Sequence, residues 1–323
     1  MKIIILFLVI CCNLFAQNLE WMNYTSGDEI MALAEEGDYL WVGTFGGLVK
    51  LNKINTEGVF FNQLNSGLPD NLVRAITIDQ DRIKWIGTWS GGLAKFDDVN
   101  WTLFNTSNSG LPDDQITSVV IDSIGNKWIS TYGGGLVKYD GTNWTVYDTS
   151  NSEAGNYIWS LVFDELGNLW MDSNTGLKKF DGVNWTVYNR LNSGIPDDNV
   201  TFIAIDSSDN KWIGTYAGGM AVFDDTNWVV YNTLNSGISD NWIIWITIDE
   251  NENKWIGTRQ GGIIKFDGTN WTVYNTSNSG VKYKEAWPIL IDVAGNKWIG
   301  TYGGGLAKFD GVNWESYNTS NSD

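Results

Sequence analysis

Short runs of alternating apolar and polar residues follow one another along this chain, separated at close intervals by Gly, Asp, Asn and Ser. That is the pattern of many short strands joined by turns. In one stretch, 114–122 (DQITSVVID), 127–131 (KWIST), 136–140 (LVKYD) and 144–147 (WTVY) read as four strands, with tight turns at 123–126, 133–135 and 141–142. Connections this short join antiparallel neighbours. Side chains leave a strand alternately on its two faces, so Trp128 and Ile129 point in opposite directions and both faces are apolar. A sheet of this kind must be covered on both sides.

The stretch is one of seven copies. Its first tryptophan falls at Trp41, Trp85, Trp128, Trp170, Trp212, Trp255 and Trp298, giving spacings of 44, 43, 42, 42, 43 and 43 residues, one small sheet per unit. A lone sheet of this size cannot bury its own faces, so the units must stack, and a closed ring satisfies all of them. The sequence therefore predicts an all-β fold, a seven-bladed β-propeller of four-stranded antiparallel blades. A second tryptophan series, Trp101, Trp144, Trp185, Trp228, Trp271 and Trp314, falls on the outer strands as further packing. W-x-x-Y segments stand at both 21–24 and 314–317, and either could supply the outer strand of the last blade.

Gly67-Leu68-Pro69-Asp70-Asn71, Asp79, Trp85-Ile86-Gly87-Thr88 and Gly91-Gly92-Leu93, with equivalents along about 27–320, resemble the two-component regulator propeller repeat. The resemblance implies the extracytoplasmic sensory part of a hybrid sensor kinase, responding to polysaccharide-derived signals. No trailing β-sandwich pattern, transmembrane helix, kinase or receiver accompanies the repeats here, so signal transduction by this chain itself is not expected.

Residues 1–16 read as a secretory signal: Lys2, an apolar run over 3–12, then Asn13-Leu14-Phe15-Ala16 before Gln17. Both cysteines, Cys11 and Cys12, lie within it. Leu8 precedes Cys11 by three, but Ile10 is bulky where a lipid-attachment site wants a small residue, so a secreted or periplasmic protein is expected ahead of a lipid-anchored one. Residues 17–323 are read as a single propeller. No other stretch is apolar for long enough to cross a bilayer, so an integral membrane protein is not expected. A net charge of −18 disfavours nucleic acid, whose recognition relies on neutralising phosphate charge.

Five tryptophans are not demanded by the repeat: Trp89, Trp159, Trp242, Trp245 and Trp287. Strand two to three turns and strand four to one loops open on the same end of a propeller, so these residues should gather around one mouth of the channel. The residue after the WIGT threonine adds a border of Phe45, Trp89, Tyr132, Tyr216 and Tyr302, interrupted by Asn174 and Arg259. Large rigid rings with a few polar neighbours suit a flat ligand. The candidate ligand-binding set is thus Phe45, Trp89, Tyr132, Trp159, Asn174, Tyr216, Trp242, Arg259, Trp287 and Tyr302. An oligosaccharide or a peptide is the expected ligand. Lys282, Lys284 and Glu285 add asymmetry near Arg259.

The DSIGNKW-type turn before strand two resembles a calcium loop only superficially, because Asp and Asn suit such a turn by hydrogen-bonding their own backbone. The sequence has no histidine, and its two cysteines fall in the signal segment, so neither metal nor cofactor is expected. The reading is a noncatalytic binding module. The alternatives are a protein-interaction scaffold with a cell-envelope partner and a polysaccharide lyase recruiting Tyr132, Arg259 and Lys284.

Overall fold

In the computed structural model the described residues run from 28 to 318. The expected signal segment at 1–16 and the W-x-x-Y segment at 21–24 lie outside them. Seven four-stranded antiparallel sheets follow one another, each built from four consecutive strands paired in chain order. Their innermost strands are Ile30–Glu36, Val73–Ile78, Ile116–Ile121, Leu161–Phe163, Val200–Ile205, Ile243–Ile248 and Ala286–Ile291, numbered here as blades one to seven. The third blade runs Ile116–Ile121, Lys127–Thr131, Leu136–Tyr139 and Trp144–Tyr147, so its first strand is shorter at both ends than the sequence pattern predicts. No helix among the described residues is long and apolar enough to cross a membrane.

One apolar cluster fills each interface between neighbouring blades. Trp41 of blade one meets Ile86 of blade two, and Trp85 on the opposite face meets Ile129 of blade three. The two directions of the KWIGT phrase thus become the two walls of each blade. The outer tryptophans lie flat on the preceding strand's aromatic ring, as Trp101 does on Phe96 with centroids 4.1 Å apart. Segment Trp314–Tyr317 pairs with Leu306–Phe309 and is the outer strand of blade seven. The ring closes through side chains and backbone: Ile30, Val42 and Leu51 of blade one pack on Trp298 and Leu306 of blade seven, and the Gly303 and Gly305 N–H groups donate to the Asp28 carbonyl at 3.1 and 3.0 Å. Glu35 reinforces the seam by accepting the backbone N–H of Val293 at 3.1 Å.

The turn aspartates have a structural task. In blades two to seven the buried tryptophan donates its indole N–H to an aspartate six residues earlier, as in Trp85 to Asp79 (2.9 Å), Trp212 to Asp206 (2.8 Å) and Trp298 to Asp292 (2.9 Å). In blade one Glu36 does the same for Trp41. Asp206 also accepts the backbone N–H groups of Ser208 and Asn210 and the Asn210 amide, so its oxygens are occupied by the turn itself. Burial alone would raise its carboxyl, but these donors hold it below the ordinary value. Asp206→Ala would strand the Trp212 indole and open the turn. We expect a loss of about 2–4 kcal/mol, read from the urea midpoint.

Close approach of a second strand to the innermost strand of the next blade requires the glycine of KWIGT at Gly87 and Gly257. A Cβ on Gly87 would sit 2.5 Å from Ile116 Cγ2 of blade three, and one on Gly257 would sit 2.3 Å from the Ala286 carbonyl oxygen of blade seven. The absent side chain lets neighbouring blades converge on the axis.

Candidate functional site

The same convergence builds a site at the axis. Val73 pairs with Thr88 and Ala75 with Gly87, so Arg74 has no partner residue across the hairpin. A bulge of this type re-aims the extra side chain. Met31, Thr117, Thr201, Ile244 and Trp287 occupy the equivalent positions in five other blades. Trp159 holds that place in blade four. All seven of these side chains line one cavity of about 230 Å³. One residue from every blade places it on the ring axis, at the mouth of the channel.

Blade four reaches this arrangement differently. Where the other blades carry Gly or Ser, it carries Asp172, fully buried. The Asp172 Oδ1 accepts the backbone N–H groups of Trp159 (2.7 Å) and Ser160 (2.9 Å), beside a remaining backbone bond from the Asp172 N–H to the Ser160 carbonyl (3.3 Å). Its Oδ2 is buried with no hydrogen-bond partner. Burial, only partly offset by those N–H groups and by Lys178, pushes the Asp172 carboxyl up to about 7.

Six blades show why the turn residues stand at the same end as the cavity. The backbone N–H after each threonine donates to the carbonyl just before the innermost strand, as in Trp89 to Leu72 (3.0 Å), Tyr216 to Asn199 (3.0 Å) and Arg259 to Trp242 (3.1 Å). The predicted residues accordingly collect around one mouth, though in unequal roles. Trp159, Trp242, Arg259 and Trp287 line the cavity. Trp89 stacks on Trp159 at 6.2 Å and 13°, and Tyr132 packs against both. Tyr216 lies against Trp242 at 4.2 Å, while Phe45 and Tyr302 meet edge to face at 5.7 Å. Asn174 is exposed and takes part in none of these contacts. Lys282 and Lys284 are exposed on the loop leading into blade seven.

The two arginines of the mouth differ. Arg259 lies over Trp242 and forms an ion pair with Glu285, which is buried and also accepts the Trp287 indole N–H at 3.1 Å. Arg74 has no ion pair and no side-chain hydrogen bond among the described residues. Its guanidinium carbon lies 4.7 Å from the Trp159 ring centroid, 5.1 Å from Trp89 and 5.9 Å from Trp287. Burial lowers its value to about 10, which leaves it charged near neutrality. Sequence reasoning missed Arg74, Met31, Thr117, Thr201 and Ile244, and it left Trp245 outside the candidate set. Trp245 also lines the cavity and packs on Phe202 at 4.3 Å. The signal was available as a column: in six blades the second residue of the innermost strand follows an apolar residue and varies freely, from Met31 and Arg74 to Trp287.

No group of three or more His, Cys, Asp or Glu residues among the described ones is arranged to hold a metal ion.

Comparison with known proteins now places the fold. The chain is similar in structure to extracellular propeller domains. The extracellular domain assigned to a hybrid two-component system of B. thetaiotaomicron aligns with a TM-score of 0.74 at 22% identity, over 87% of this chain and 40% of that one. PorZ, a bacterial surface component of the type-IX secretion system of Porphyromonas gingivalis, aligns with a TM-score of 0.71 at 16% identity, over 88% and 46%. The chain spans less than half the length of either. Virginiamycin B lyase from Staphylococcus aureus, solved as a catalytically inactive histidine-to-alanine variant with quinupristin, gives 0.72 at 13% identity over 90% and 97%. Identities this low show the fold alone. No protein-family model and no curated protein matches the sequence.

Proposed function

We propose that this propeller is a noncatalytic, extracytoplasmic binding module whose channel mouth receives the end of a glycan or peptide. The observation that carries the reading is the convergence of Trp159, Trp242, Trp245 and Trp287 with Arg74 on one axial cavity. At about 230 Å³ the cavity is smaller than the 300–1,000 Å³ usual for a whole drug-sized ligand, so it suits an end group. The signal-like segment at 1–16 and the likeness to extracellular domains support secretion or a periplasmic location. The recruitment that a lyase would need is not favoured by the site: Arg259 is engaged by Glu285, and Lys284 is exposed. The sequence also has no histidine to match the one whose loss inactivates the virginiamycin lyase.

Because indoles line the cavity, ligand should quench or shift the tryptophan fluorescence. Trp159→Ala combined with Trp287→Ala should weaken the response at least about tenfold while the melting temperature persists. Silence towards every glycan and peptide tested, together with co-elution of a cell-envelope polypeptide, would replace the binding module with the interaction scaffold.

A further inference from the structure

A cation unpaired among the described residues, on an aromatic cavity, is unusual in a chain of net charge −18, where carboxylates outnumber basic groups 38 to 20. Arg259, one blade away from the aromatic rings of blade seven, has its charge answered by Glu285. Arg74 is held on the same cavity with its five N–H donors free of any acceptor among the described residues, and three tryptophan faces fix its direction. Cation–π contact accounts for the position of the guanidinium plane. Contact with ring faces uses none of the N–H donors, so the fork that matches a carboxylate bidentately remains available to a ligand.

The remaining lining narrows the class. Thr117 and Thr201 each donate the hydroxyl to a backbone carbonyl of the next blade, Ile158 and Ile243; Thr117 also accepts the Ser130 hydroxyl, which leaves it one lone pair, while Thr201 keeps two for accepting a ligand hydroxyl. Met31, Phe202 and Ile244 give nothing to the amide groups of a peptide backbone, which leaves Asn199 as the one side-chain amide on the lining. Flat indoles, hydroxyl acceptors and a guanidinium together fit a hydroxylated ring that carries a carboxylate.

We propose that Arg74 makes the channel mouth selective for an acidic sugar end group, a uronate whose carboxylate lies on the guanidinium and whose ring lies on the tryptophans. This rests on the binding-module reading and deepens it. Selectivity comes from one residue in the blade-two bulge, and the surrounding rings supply affinity that is indifferent to charge.

The test compares trigalacturonate with its fully methyl-esterified form, which keeps every ring and removes every charge. By tryptophan fluorescence at low ionic strength, the wild-type chain should favour the acid about 10- to 100-fold, as a charge-assisted bidentate pair would give. Added salt should erode that preference. Arg74→Gln should bring the two forms to near-equal affinity, and Arg74→Lys, which keeps the charge but loses the fork, should fall between. Equal binding of acid and ester by the wild type would overturn the proposal without relying on any variant folding, as would an unchanged preference in Arg74→Gln. If neutral oligosaccharides bind while acid and ester are equivalent, the carboxylate assignment fails and the binding module stands. If peptides with a free C-terminus bind in preference to uronates, the sugar assignment fails. If no ligand of either class moves the fluorescence, both readings fall.

Discussion

Shortening the chain after residue 276 will abolish cooperative unfolding of the entire ring, not of one blade alone. The cut removes strands Ala286–Ile291 to Trp314–Tyr317 and with them one wall of two interfaces. Trp255 and Ile263 of blade six lose their cover, and so do Ile30, Leu40, Val42, Val49 and Leu51 of blade one. At about 1.5–3 kcal/mol for each side chain returned to water, the loss is on the order of 10–20 kcal/mol. That equals or exceeds the whole stability of an ordinary domain, roughly 5–15 kcal/mol. The six remaining blades would also have to leave a gap or re-curve, and a gap exposes two apolar sheet faces to association. Expression as aggregate, or a broad melt without a single transition, is the expected result. A soluble monomer with unchanged melting would refute a ring held together by all seven interfaces.

Asp172→Asn will stabilise the protein above neutral pH by as much as about 3–4 kcal/mol, and the gain will vanish in acid. The Asp172 carboxyl titrates near 7 in the folded chain because it is buried, against 3.8 as its ordinary value. The folded state therefore holds a proton that the unfolded state has released. Stability due to this group is full below about pH 4, falls as pH rises to about 7, and is level beyond. Asparagine keeps an oxygen for the Trp159 and Ser160 N–H groups and carries no charge to bury. Other carboxylates, Asp164 and Asp206 among them, are held below their ordinary values despite burial and lose stability in acid in both proteins. The difference between wild type and variant isolates Asp172. Urea melts at several pH values measure it, and a difference that does not change with pH would show that the carboxyl is ordinary.

The fold was legible because one phrase repeats with its apolar positions on both strand faces, as Trp85 and Ile86 show, and only stacking between blades satisfies both. That Trp159, Trp242 and Trp287 gather at one end of the ring was legible too, since they interrupt the regular pattern. Arg74 was not. It differs from its neighbours only by occupying a bulge, and alternation along a strand assigns a side chain to one of two sheet faces, whereas a bulged residue points to neither. Blade four hid its departure for a related reason. Asp172 stands where glycine is usual, which reads as a lost glycine until the carboxylate is found accepting the Trp159 and Ser160 N–H groups. Asn174 and Phe45 were drawn in by position after the threonine, a criterion that places a residue at the correct end of the ring without bringing it to the axis.

Six bulges and the irregular start of blade four give this scaffold seven side chains around one axis, each on its own blade and none of them among the repeat tryptophans that fill the interfaces between blades. Such an arrangement behaves like a dial with seven independent settings. Specificity can drift one position at a time, from apolar to cationic to aromatic, while the tryptophans that hold the ring together stay untouched. Under the proposed binding role, selection on the ligand and selection on the fold would act on different letters of the same repeat.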